Sequence, residues 1–237
     1  MDIIKSNEIL KQSYRIYNNF DEDEKEKIFK LINLVDYNYD EFIDFFWKFD
    51  AEIGEIGGYS FSPDPKGPAP IAKGVGRELF RPLQYARSEF EMHSYPNGRY
   101  ILDDLGLHLE IVMKFILTKK IINRLKKINR KTLGTLYHSY FKSEIKDIDI
   151  NENIKDFITI YNRAKHTVNM DPNRERNISI YDGIISYIFI RKLSNELLGP
   201  FYSEIYDLID KYRDRIIISK SMYTKKIDSS KYFKLKY

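Results

Sequence analysis

Apolar residues return along this chain at intervals of three and four, and almost nowhere in strict alternation. That period stacks them on one face of a helix and leaves little pattern for a half-buried strand. Ile9, Leu10, Ile16, Tyr17 and Phe20 share one face over residues 6–19. Asp21 and Glu24 form a D-x-x-E start signal for a second helix, whose face is Ile28, Phe29, Leu31, Ile32 and Val35. A third begins at about Asp40 and carries Phe42, Ile43, Phe45, Phe46 and Phe49. The expectation is an all-α protein, a bundle of long antiparallel helices. A short extended piece at Ile216 to Ile218 is the one exception.

The pattern breaks over residues 54–76, which hold six of the 11 glycines and four of the eight prolines. Pro63, Pro65, Pro68 and Pro70 leave no room for a helix there, so this is read as a loop. Helical spacing resumes over 78–93, with a perturbation expected at Pro82. Tyr95-Pro96-Asn97-Gly98 reads as a turn. A long helix then carries Ile101, Leu105, Leu109, Val112 and Ile116 into a basic run. Further helices are predicted over 132–142 and 152–166. After the Asp171-Pro172-Asn173 turn, Ser179 and Asp182 give an S-x-x-D cap to a helix that Gly199-Pro200 stops, and a last helix covers 201–214. The division predicted is an N-terminal helical segment (1–53), the Gly/Pro-rich loop (54–76), a helical bundle (77–216) and a basic tail (217–237).

The chain has 237 residues, enough for a substantial core. With no cysteine, disulfides, thiolate metal sites and cysteine nucleophiles are excluded. The start, MDIIKSNEIL, lacks the basic and apolar regions of a signal peptide. The longest apolar runs fall far short of the roughly 20 residues that span a bilayer. A cytoplasmic protein without membrane contact is expected. The four histidines (His93, His108, His138 and His166) show no ligand spacing, and no nucleophile elbow or phosphate-binding loop is present, so neither metal nor cofactor is expected. Gly74-Val75-Gly76 is a lone G-x-G and reads as plain loop. His108, on an apolar helix, and His138, in an aromatic stretch, read as core or interface residues.

Tyr161-Asn162-Arg163-Ala164-Lys165-His166 ends an amphipathic helix and concentrates polar chemistry. Arg163 and His166 lie three apart, and Asn162 and His166 four apart, so they share a face. Such a face suits an anionic phosphodiester. His166 could move a proton near neutral pH, Arg163 could stabilise the charge of a phosphorane, and Asn162 and Lys165 could position phosphate. The same His and Lys would also suit a plain C-terminal helix cap. Net charge is only +4, but Lys119, Lys120, Arg124, Lys126, Lys127, Arg130 and Lys131 form a run without an acid that could track RNA phosphates. A solvated charged face is an equal reading of that run.

The Tyr-Asn-x-x-Lys-His string, followed by Ser179-x-x-Asp182-Gly183-Ile184-Ile185-x-Tyr187 and Arg191, resembles bacterial proteins of the HEPN superfamily over roughly residues 150–200. The resemblance implies a helical bundle, a homodimer with a composite site, and a metal-independent ribonuclease in a toxin–antitoxin or anti-phage defence setting. A protein partner, an antitoxin or defence-system subunit, is implied with it. The usual family motif is Arg, four to six residues, then His. Arg163 stands closer to His166 than that, whereas Arg87 and His93 have five residues between them. Arg87 and His93 are therefore a second candidate pair, with a solvated helix face of Arg87, Glu89, Glu91 and His93 as the plainer reading. The alternative function is a non-catalytic helical module that binds a protein or RNA through its tyrosine-rich faces.

Overall fold

A computed structural model describes residues 8–53, 75–92, 96–120, 128–166 and 178–201. Among these the chain is helical and holds no strand. Helix α1 is Lys11–Asn18, α2 Glu22–Tyr37, α3 Tyr39–Ile53, α4 Val75–Met92 and α5 Gly98–Lys120. A single-turn α6 (Leu133–Leu136) runs into a π-helical turn (Tyr137–Phe141), and α7 (Ile148–His166) and α8 (Ile180–Leu198) follow, with a short 3-10 turn at Gly199–Phe201. The sequence expectations for 201–214, Ile216 to Ile218, the Gly/Pro-rich loop and the basic tail fall wholly or almost wholly outside the described residues.

Helix α8 is buried on every side: all residues from Tyr181 to Arg191 are buried, as are Leu193 to Asn195, Leu197 and Leu198. A helix apolar all round belongs at the centre of a core, and α1, α2, α3 and α5 all pack against it. Helix α5 touches α4, α6, α7 and α8. The N-terminal helices share one continuous core with the rest, from Ile9 to Leu198. Arg15 of α1 pairs with Asp156 of α7, its Nε donating at 2.7 Å. The Tyr181 hydroxyl of α8 donates to Asp36 of α2 at 2.9 Å.

Direction along the bundle follows from contacts. The Arg99 end of α5 meets Ala164 near the end of α7, and Tyr161 packs over Gly106, so these two helices are antiparallel. Helices α5 and α8 instead run parallel. Gly98 lies against Ser179, Gly183 against Ile101, and Phe115 against Phe201 with ring centroids 5.7 Å apart. At Gly98 any Cβ would overlap the Ser179 carbonyl oxygen, so only glycine permits the two helix starts to meet there.

Both capping signals form. The Asp21 carboxylate accepts from Glu24 N at 2.9 Å. Ser179 N donates to Asp182 at 2.8 Å, and the other Asp182 oxygen accepts from Leu10 N at 2.9 Å. One carboxylate thus serves the starts of both α8 and α1. Helix α4 continues through Pro82 from Val75 to Met92. The helix expected over 132–142 loses α geometry at Tyr137, where Lys142 N bonds back five residues to the Tyr137 oxygen at 2.9 Å. The Tyr137 hydroxyl donates to the Asn151 side chain at 2.8 Å.

A charged cluster lies inside the core. Asp50 of α3, fully buried, accepts from Arg191 Nε at 3.0 Å and from the Tyr187 hydroxyl at 3.0 Å, and faces Arg87 Nη1 at 3.4 Å. The Arg87 guanidinium lies over Trp47, its Cζ 3.2 Å from the ring centroid. Around it Phe42, Phe46, Phe90 and Tyr187 form an aromatic shell, Phe46 and Phe90 being 4.7 Å apart. Removing the carboxylate leaves buried positive charge uncompensated, which costs about 3–5 kcal/mol. Asp50→Ala is expected to lose stability of that order in urea denaturation, while Asp44→Ala, on an exposed position of the same helix, stays near wild type.

Candidate functional site at one end of the bundle

The last turn of α7 holds Asn162, Lys165 and His166 in solvent and Arg163 half-buried, with Ala164 packed inward. Helical spacing does this. Tyr161 and Ala164 point to the core, Asn162, Lys165 and His166 point out, and Arg163 lies between with its Nη2 buried. Tyr161 is buried, and burial pushes its hydroxyl above the ordinary tyrosine range. Lys165 donates to that hydroxyl at 3.2 Å, and this bond raises the Lys165 ammonium above its usual value. Asn162 and His166 have no hydrogen-bond partner among the described residues.

A residue the sequence reading passed over completes this end. Arg99, in the first turn of α5, donates from Nε to the Ala164 carbonyl oxygen at 2.7 Å. Its own main-chain N–H is held by Asn97 Oδ1 at 3.0 Å. The free carbonyls at the end of a helix repel anions. Arg99 occupies one of them with a cation. The starts of α5 and α8, joined at Gly98 and Ser179, bring the positive ends of two helix dipoles to the same place. Asp182 offsets the α8 start, and Glu110, then Asp103, one turn along α5 from Arg99, are the acids whose charge reaches Lys165 and Tyr161. Three basic side chains, Arg99, Arg163 and Lys165, meet at this end beside His166.

The other candidates separate from this end. Arg87 is not solvated but 2% exposed, held by Asp50 and Trp47 and facing Glu91 at 3.4 Å. The reason is its place four residues after Leu83 and three before Phe90, on the buried stripe of α4. It belongs to the core, out of reach of a substrate. His93 lies outside the described residues. In the basic run, Lys119 and Lys120 end α5, whose 23 residues extend roughly 33 Å from Gly98. The run therefore begins at the opposite end of the bundle from His166. Arg124, Lys126 and Lys127 fall outside the described residues. Arg130 is exposed, and Lys131 lies 5.9 Å above the Tyr140 ring.

Of the remaining histidines, His138 is exposed and not a core residue. The π turn directs Tyr137 and Phe141 inward and His138 out. His108 is fully buried as expected, its Nδ1 2.7 Å from the Leu79 carbonyl oxygen. Among the described residues no cluster of His, Asp or Glu could hold a metal ion, and no helix is long and apolar enough to cross a membrane. No family model matches the chain, and neither a curated protein nor a solved structure matches it.

Burial, together with the field of Arg191, lowers the His108 imidazole to about 4, while its hydrogen bond with the Leu79 carbonyl acts the other way. The folded state therefore binds this proton less tightly than the unfolded chain. Stability that is complete above pH 6.5 is lost as pH falls towards 4, by roughly 3 kcal/mol. Asp104 acts oppositely: burial, then Glu89 and Asp103, raise it to about 7, so its contribution declines as pH rises through the same range. The difference between wild type and His108→Gln isolates the histidine. Chemical denaturation from pH 7 to pH 4 is expected to show a steeper loss in wild type than in the variant.

Proposed function

We propose that this chain is a HEPN-like endoribonuclease that cleaves RNA without a metal ion, at the bundle end built by α7 and α5. The observation that carries the reading is the grouping of two unpartnered, solvent-facing polar side chains, Asn162 and His166, with Lys165 and with Arg99 on the Ala164 carbonyl. RNA brings its own nucleophile. The 2′-oxygen attacks the adjacent phosphorus and the P–O5′ bond breaks, leaving a 2′,3′-cyclic phosphate and a 5′-hydroxyl. His166 takes the 2′-hydroxyl proton or delivers one to the departing 5′-oxygen. Arg163 and Lys165 counter the charge that grows on the phosphoryl oxygens. The HEPN resemblance over residues 150–200 supports the same assignment. It also suggests a homodimer, a partner such as an antitoxin, and a toxin or anti-phage setting.

A second reading, a non-catalytic module that binds a protein, draws on Tyr37 and Ile148, which are 81% and 74% exposed. Single exposed apolar residues are common on soluble surfaces, so this reading stands second. Purified protein incubated with total RNA and tRNA in EDTA discriminates the two. Wild type is expected to produce fragments ending in 2′,3′-cyclic phosphate, His166→Ala to lose cleavage by at least about a hundredfold, and His93→Ala to retain it. Intact RNA with folded wild-type protein supports the binding module instead.

A further inference from the structure

Arg99 and Tyr100 stand side by side in the first turn of α5. Arg99 commits Nε to Ala164, and its two terminal nitrogens have no partner among the described residues. A guanidinium locked through Nε presents the remaining N–H groups in a fixed fork, a geometry suited to phosphate oxygens. The Tyr100 ring is 57% exposed and makes no ring contact with any described residue. Two turns on, Leu107 is also exposed, with half-buried Asp104 between them, so the ring stands where this side of α5 reaches the bundle end.

We propose that the first turn of α5 completes the RNA site, with Arg99 gripping a backbone phosphate beside His166 and Tyr100 stacking on an adjacent unpaired base, so that the substrate is single-stranded RNA. This inference rests on the RNA reading above and adds its substrate class. An aromatic face can receive a base only when that base is free of its helical stack. In duplex RNA the bases stay stacked and the ring has nothing to receive. Asp103, on the same side of α5 as Arg99 and one turn further in, repels phosphate from the middle of the helix. It confines the strand to the end of the bundle.

The test uses full-length protein and a short fluorescent RNA carrying 2′-O-methyl groups, which block cleavage, as single strand and as duplex of the same sequence. Wild type is expected to bind the single strand more tightly. Tyr100→Ala should weaken that binding roughly fivefold to hundredfold, and Tyr100→Phe should restore it. Tyr85→Ala, which removes another exposed tyrosine, should leave it unchanged. Arg99→Gln, checked for an unaltered melting profile, should flatten the dependence of log affinity on log salt by about 0.7. If Tyr100→Ala binds the strand as wild type does, the stacking role is overturned. If duplex binds as tightly as strand, the substrate class is overturned, and in both cases RNA binding itself stands. If wild type binds neither, the RNA reading fails and takes this inference with it.

Discussion

The Asp50 carboxylate is the contact on which the rest of the bundle depends. It is fully buried and joins Arg191 and Tyr187 of α8 to Arg87 of α4. A guanidinium taken from water is costly unless a carboxylate meets it. Two of them meet one carboxylate here, with a tyrosine hydroxyl and the Trp47 face supplying further contacts. That geometry ties α3, α4 and α8 to one another through a single carboxylate. Packings of these helices that separated the groups would leave the charges buried and unpaired.

With α8 fixed at the centre, the candidate end follows. Its start is capped by Asp182, which also holds the start of α1. Gly98 lets α5 begin against Ser179, and Arg99 then reaches the last turn of α7. The exposed side chains at that end are thus carried by helix termini that four separate contacts hold in register. The side chains proposed to act are exposed while their supports are buried, an arrangement that would let the proposed site admit a long polymer and still keep its geometry.

Short-range features were legible in the sequence. The Asp21–Glu24 and Ser179–Asp182 caps need only residues three apart, and both form. The burial of His108 follows from its apolar helix. Arg87 was also legible in principle, because Leu83 and Phe90 place it on the buried stripe, but an arginine invites a solvated reading. Asp50 gave the same kind of signal by falling on the stripe of Phe42, Phe46 and Phe49. The core reading of His138 failed because it rested on the aromatic stretch around it, of which Tyr137 and Phe141 are buried and His138 is not. Arg99 was not legible at all. Its role depends on meeting Ala164, 65 residues away, and no local pattern predicts which helix ends coincide. The separation of the basic run from His166 was hidden for the same reason.

The most direct test of this account is photochemical crosslinking of RNA containing 4-thiouridine to the intact protein, with the attachment sites read by mass spectrometry. The account predicts adducts at Tyr100 and in the peptide that ends α7 at His166. Adducts confined to the basic run from Lys119 to Lys131, or to the outer faces of α2 and α3, would contradict it.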